Sequence, residues 1–141
     1  MTVQSRLLHE DLSYKIRGCV FKVYNSLGFG HKESVYHKAL TTEFNKRHIN
    51  FEQEKSLDIF YENEKVGNYR PDFVIEGKII IEIKAQDFLI KDNERQVINY
   101  LKSTNYQLAF LVNFGGSKLD IRRLVWTPNY LRKSAMISEN Q

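Results

Sequence analysis

Residues 78–85 read Lys-Ile-Ile-Ile-Glu-Ile-Lys-Ala, and no other segment limits the possible folds so tightly. Isoleucines this dense predict a central β-strand covered on both faces. Glu82 and Lys84 interrupt the run. Side chains alternate along a strand, so both charges share one face while Ile79, Ile81 and Ile83 share the other. Burying unpaired charge there is costly. An ion pair between Glu82 and Lys84 is the simplest structural explanation. A functional explanation needs a further partner from a neighbouring strand.

The preceding segment offers one. Glu76-Gly77 forms a tight hairpin turn of the kind glycine favours. Asp72, in Arg70-Pro71-Asp72-Phe73, lies about as far before that turn as Glu82 lies after it. Two carboxylates converging on adjacent strands repel each other unless a cation sits between them. Oxygen-only ligation suits a hard divalent ion, Mg²⁺ or Mn²⁺. Zinc is disfavoured, because His9, His31, His37 and His48 are scattered and read as surface or core residues. Lys84 then has a chemical reason for its position. Beside a metal-bound water it can orient a nucleophile or stabilise charge developing on a phosphate.

The rest of the chain supplies a frame for this strand. Leu12, Ile16, Cys19, Val20, Val23 and Leu27 step by three and four, which predicts a helix over His9–Leu27 ending at Gly28. A second helix is expected from Glu33 to Arg47, burying Val35, Tyr36, Ala39, Leu40 and Phe44. Strands are expected over 51–61, 65–75, 78–85, 107–113 and 119–126. A third helix is expected over Asn93–Ser103, capped by Asp92. A strand, a helix and another strand in succession favour a right-handed crossover, hence an α/β fold with a mixed sheet of about five strands. All 141 residues read as a single domain, with 127–141 a short helix or a frayed tail.

Other features set the class. The net charge of +4 permits a polyanionic partner. The single cysteine, Cys19, reads as a buried core thiol. The first residues lack the apolar stretch of a signal peptide, and no apolar run is long enough to span a membrane. The protein therefore reads as soluble and cytoplasmic, with no membrane partner.

Two further groups point toward the charged strand. Glu33 opens the second helix, where the helix dipole stabilises a carboxylate; an ordinary helix start wants the same. On the third helix Gln96 and Tyr100 share a face with Asn93, while Val97 and Leu101 line the face toward the sheet. Tyr100 also fits a plain rim aromatic. Lys91, Arg95, Lys102, Arg122, Arg123, Arg132 and Lys133 could contact phosphates, although such a scatter equally makes a solvated surface. No helix-turn-helix or zinc finger is present, so strong base specificity is not expected.

Gly30-His31-Lys32-Glu33-Ser34-Val35-Tyr36 resembles the Gly-x-x-Glu-x-x-Tyr signature of the GxxExxY protein family. The likeness continues through Arg70-Pro71-Asp72-Phe73, Ile81-Glu82-Ile83-Lys84-Ala85, Gln96-Val97-Ile98-Asn99-Tyr100-Leu101, Leu111-Val112-Asn113-Phe114-Gly115 and Arg122-Arg123-Leu124-Val125. That family is similar to PD-(D/E)XK nucleases, and the Gln-x-x-x-Tyr element resembles that of recombination-type exonucleases. The resemblance implies a restriction-endonuclease-like core. It implies Glu33, Asp72 and Glu82 as acidic metal-site residues; in the mechanism expected here the backbone carbonyl of Ile83 joins Asp72 and Glu82 in holding the Mg²⁺ or Mn²⁺ cofactor. Lys84 would be the catalytic lysine and Gln96 a phosphate or metal-water contact. Tyr100 would support the substrate strand, with Arg95 and Lys91 near it. The implied activity is metal-dependent hydrolysis of nucleic acid, DNA in the first instance. The alternatives are a dimeric, Holliday junction resolvase-like endonuclease, which needs a two-fold homodimer, and a noncatalytic nucleic-acid-binding module that keeps the fold.

Overall fold

The computed structural model describes residues 8–127. Helices α1 (Glu10–Leu27) and α2 (Glu33–Lys46) come first. Strands β1 (Phe51–Gln53), β2 (Leu57–Tyr61), β3 (Glu64–Tyr69), β4 (Phe73–Ile75) and β5 (Ile79–Lys84) follow. Helix α3 (Lys91–Thr104) then leads to β6 (Leu108–Asn113) and β7 (Asp120–Val125). A five-stranded sheet has the order β1-β4-β5-β6-β7, and β2 and β3 form a separate ribbon. Strands β5 and β6 run parallel, connected through α3, and the other neighbours are antiparallel. This is the mixed five-stranded α/β sheet, flanked by helices, that the sequence predicts.

Two expected strands are each cut in two. Glu54 adopts a left-handed φ of 49° just beyond β1. Pro71 has no N–H to donate and keeps Arg70 extended, which separates β3 from β4. The chain thus leaves the main sheet after β1, makes the β2–β3 ribbon, and returns as β4 beside β1. The ribbon turns at Glu62 and Asn63, both at positive φ (47° and 69°), the twist that tight hairpins prefer.

The helices follow their apolar stripes. Ile16, Cys19, Val20 and Val23 are buried on α1, and Gly28 caps it at φ 68° with its N–H on the Tyr24 carbonyl. On α2 the buried stripe is Tyr36, Leu40 and Phe44 at steps of four. Val35, expected inside, is exposed, because it lies one position off that stripe. Ala39 is only half-buried. Glu43 is buried instead and draws Lys22, Lys46 and Arg47 around it. Helix α3 begins at Lys91 rather than Asn93, and Asp92 is not its cap. Asn93 reaches back so that its Oδ1 accepts the Ile90 N–H at 2.9 Å, whereas Asp92 pairs with Arg95 on the surface.

Two cores sandwich the sheet. Ile79, Ile81 and Ile83 pack with α1 and α2, while Ile80 packs with Val97 and Leu101 of α3 and with Leu57 and Tyr69 of the ribbon. Alternation therefore delivers Glu82 and Lys84 to the α3 side, at the C-terminal end of β5. The expected helix or tail beyond Thr127 lies outside the described residues. No helix among the described residues is long and apolar enough to cross a membrane.

The ends of β5 and β6 are locked together. The Lys84 carbonyl accepts the Phe114 N–H at 2.9 Å. Buried Asn113 accepts the N–H groups of Gln86 (3.0 Å) and Gly115 (3.1 Å) and donates to the Gln86 carbonyl (2.8 Å). A Cβ at Gly115 would run into the backbone N and O of Gln86 and the carbonyl carbon of Ala85. Gly115→Ala should therefore lower the unfolding free energy by about 1–3 kcal/mol in urea melts, the usual cost of overpacking. Gly67→Ala, whose Cβ meets nothing within 4 Å, should change it by less than ~1 kcal/mol. Equal stability of the two variants would contradict the close approach.

Candidate active site

Strand β4 starts at Phe73, which is paired with Ile81 of β5. The next pair outward is Asp72 with Glu82, and there side chains take over from the ladder. The Asp72 N–H donates to Glu82 Oε1 at 2.9 Å, and the Ile83 N–H donates to Asp72 Oδ2 at 2.7 Å. Each carboxylate is thus fixed on the other strand's backbone. The Pro71 break makes this possible, because it leaves the Asp72 N–H out of a continuous β3–β4 strand. The Lys84 carbonyl faces β6. In an extended strand the N–H and C=O of one residue point to the same neighbour, so the Ile83 carbonyl faces the Asp72 side.

The electrostatics of this pair are unfavourable as they stand. Burial, and then the Asp72 charge, push the Glu82 carboxyl up to about 7, against the pull of the Asp72 N–H, Tyr69 and Lys84. Asp72 is also raised, chiefly by burial, although the Ile83 N–H, His37 and Lys84 oppose it. Glu33 is raised by partial desolvation and by the Asp72 charge, with Lys84 and His37 opposing. Three acids therefore sit in one field, where burial raises each of them and the Asp72 charge raises Glu33 and Glu82 further. The ion pairs of the described residues join Glu43 to three cations but do not join Glu82 to Lys84. The simple ion-pair explanation of the charged strand is not what the structure contains.

Glu33 reaches this field from the first turn of α2, in the other layer of the sandwich. A groove of about 390 Å³ runs between them, lined by Glu33, Ser34, His37, Lys38, Gln53, Glu54 and Asp72. His37 stacks on Phe73 at 4.4 Å between ring centroids. In the sequence His37 is grouped with the other scattered histidines; its spacing of one helical turn from Glu33 was the available signal. Tyr36, the aromatic of the Gly-x-x-Glu-x-x-Tyr element, is fully buried and stacked on Phe114. Its hydroxyl donates to the Gly28 carbonyl and accepts the His31 N–H. It ties the loop before α2 to the core and so fixes where Glu33 begins.

On the α3 side, Gln86 Nε2 donates to Asn93 Oδ1 at 3.0 Å. The chain Asn113–Gln86–Asn93 thereby joins the end of β6 to the start of α3. Gln96 is exposed on α3. Lys91 is exposed at its first position, and Arg95 is paired with Asp92 at 3.3 Å. Tyr100 is half-buried, one ring face covered by Tyr69 at 3.7 Å and 7° between planes. Arg122 is held by Asp120 (2.9 Å) and Glu94 (3.3 Å), so its charge is already compensated. Arg132 and Lys133 lie outside the described residues. The structure thus gathers Glu33, Asp72, Glu82, Ile83 and Lys84 at one end of the sheet. Gln96, Lys91 and Arg95 stand on α3 with no hydrogen bond or ion pair to that cluster among the described residues. Tyr69, which sequence reasoning missed, joins the cluster from the end of β3.

The donor set bears on a cation. Among the described residues no three His, Cys, Asp or Glu side chains form a ready-made ligand cage. Asp72 and Glu82 each keep a second oxygen beyond the one bound to backbone. Mg²⁺ is commonly held by one or two carboxylates and completed by water, and an added positive charge would relieve the repulsion that Asp72 exerts on Glu33 and Glu82. The residues present fit such an ion.

The profile of the PD-(D/E)XK nuclease superfamily matches residues 10–124. Among solved structures, one titled "Crystal structure of SSO0001" superposes with a TM-score of 0.53 at 18% identity, over 74% of this chain and 56% of that one. An alkaline exonuclease (LHK-Exo) from Laribacter hongkongensis aligns with a TM-score of 0.40 at 12% identity, over 70% of this chain and 61% of that one. The chain thus spans less than two thirds of the length of either. No curated protein matches the sequence.

The Glu82 environment has a measurable consequence. Its folded value of about 7 stands above the ordinary 4.5, so between these pH values the folded chain holds a proton that the unfolded chain has released. Metal-free stability from this group is fully present below pH 4.5 and is lost as pH rises through 7, by about 3 kcal/mol. In EDTA, Glu82→Gln should match wild type near pH 4 and exceed its unfolding free energy by roughly 2–3 kcal/mol near pH 8. Parallel stability curves for the two proteins would rule out the raised value.

Proposed function

The chain belongs to the PD-(D/E)XK nuclease superfamily, and on that premise we propose that it is a divalent-metal-dependent nuclease acting on nucleic acid, DNA in the first instance. The observation that carries this reading is the crossed pair of hydrogen bonds that sets Asp72 and Glu82 together on adjacent strands. In this reading Asp72, Glu82 and the Ile83 carbonyl hold Mg²⁺ or Mn²⁺, with Glu33 contributing through water. Bound there, the ion supplies Lewis-acid chemistry, acidifying water and neutralising charge at phosphorus.

The chain's own residues do the rest. Lys84, on the same face of β5 as Glu82, orients the attacking water and stabilises the charge that develops on the phosphate oxygens. The water oxygen bonds to phosphorus in line with the departing 3′ oxygen, which leaves as the P–O bond breaks and takes up a proton. The phosphate stays on the 5′ side. Gln96 contacts a phosphate or ordered water from α3, while Lys91 and Arg95 follow the strand backbone. The signature around Glu33 and Tyr36 supports placement within the GxxExxY family.

Purified protein with Mg²⁺ or Mn²⁺ should cut at least one member of a panel of single-stranded, duplex and four-way-junction DNA and RNA, leaving 5′-phosphates. Lys84→Ala, Asp72→Asn and Glu82→Gln should each slow cleavage by about 100-fold or more while still unfolding cooperatively. Cutting confined to the four-way junction, by a protein that elutes as a dimer, would favour the resolvase-like reading. Salt-sensitive binding without cleavage would favour the noncatalytic module. Equal cleavage by wild type and Lys84→Ala would sink the proposed chemistry.

A further inference from the structure

Tyr69 ends β3, three residues before Asp72. Its side chain packs on the α3 side of the sheet, in the same cluster as Ile80. Glu82 lies on β5 two residues beyond Ile80, on that same face of the sheet. The residue is 6% exposed, yet its hydroxyl is buried without a well-formed hydrogen bond. A buried, unpaired hydroxyl is costly, and removing it would cost the packing nothing. The hydroxyl lies beside the Glu82 carboxylate. Tyr100 covers the ring from the far side, stacked at 3.7 Å and 7°. Leu57, paired with Tyr69 in the ribbon, and Leu101 of α3 complete its cover. The ring therefore has little room to turn its hydroxyl away from Glu82.

We propose that Tyr69 is a positioning residue for the metal site. Its hydroxyl donates to Glu82 when a divalent ion is bound, and Tyr100 acts through Tyr69 by holding the phenol ring in place. This rests on Glu82 being a metal ligand. One oxygen of Glu82 is already turned to the Asp72 N–H. A second donor fixes its rotation and so fixes where an ion can sit. Tyr100 is then explained by packing rather than by direct contact with substrate. Its neighbour one turn earlier, Gln96, is left as the exposed polar group of that face.

The test uses metal alone. Mn²⁺ affinity is measured by electron paramagnetic resonance for wild type, Tyr69→Phe and Glu82→Gln, together with thermal midpoints in EDTA. Removing an outer hydrogen bond to a metal ligand commonly weakens affinity by about 10-fold or more. Tyr69→Phe should show that loss while its metal-free midpoint stays the same or rises. In wild type labelled with ¹³C at tyrosine Cζ, the Tyr69 resonance, identified by its absence from Tyr69→Phe, should move as Mg²⁺ is added. It should stay still in Glu82→Gln. If wild type and Glu82→Gln bind Mn²⁺ equally, or neither binds, the metal reading of Glu82 fails and the proposal falls with it. If Glu82→Gln loses binding but Tyr69→Phe binds within twofold of wild type, or the Tyr69 resonance does not move, the metal reading stands and the positioning role is overturned.

Discussion

The architecture of one end of this sheet depends on a substitution of side chains for backbone. Between Phe73 and Ile81 the β4–β5 ladder is ordinary. One residue further out, the ladder is continued by two carboxylates, each accepting an N–H from the opposite strand. This arrangement satisfies backbone donors that would otherwise be stranded in a half-buried place. It also brings two acids together where solvent screens them poorly. The strand stays in register because the charges are bonded, and the charges stay near each other because the strand is in register.

Much of this was legible in the sequence. The isoleucine run with two charges set the face of Glu82 and Lys84, and the Glu76-Gly77 turn set the register that brings Asp72 opposite Glu82. Both follow from a period of two and from glycine's freedom at positive φ. What could not be read was the break at Arg70-Pro71-Asp72 and its counterpart at Glu54. The segments 51–61 and 65–75 each read as one strand, and apart from Pro71 nothing local says that the chain changes sheets there. The Pro71 in an otherwise strand-like segment was the signal, since proline is poorly tolerated inside a paired strand. Val35 and Asp92 failed for smaller reasons: a stripe displaced by one position, and a cap supplied by a side chain three residues inside the helix rather than before it.

The polar chain from Asn113 through Gln86 to Asn93 was equally hidden. Asn113 lies 27 residues from Gln86, and the parallel pairing of β5 with β6 brings these two together. Their effect is mechanical. Asn113 holds the segment that follows Lys84, and Gln86 passes that constraint to the first turn of α3. The helix that carries Gln96 and Tyr100 is thereby set against the strand that carries Glu82 and Lys84. The ribbon adds Tyr69 from the other direction. Strand, helix and ribbon meet at one place because each is tied to the same short stretch of β5 and its continuation.

The chain also contains its own comparison for what a structural charge cluster looks like. Glu43 is buried, and the fold answers it with Lys22, Lys46 and Arg47, all within 4 Å. Opposite charge surrounds the acid, as stability alone requires. Around Asp72 and Glu82 the answer is different. The two acids are bonded to each other's strand through two backbone N–H groups, a phenol lies beside them and Glu33 adds a third acid. Lys84 and His37 oppose them in the field without an ion pair among the described residues. A cluster selected for stability would have recruited cations, as Glu43 did. Around Asp72 and Glu82 the acids are left underneutralised, with Lys84 as a partial counter-charge, which is the condition that the proposed metal site requires.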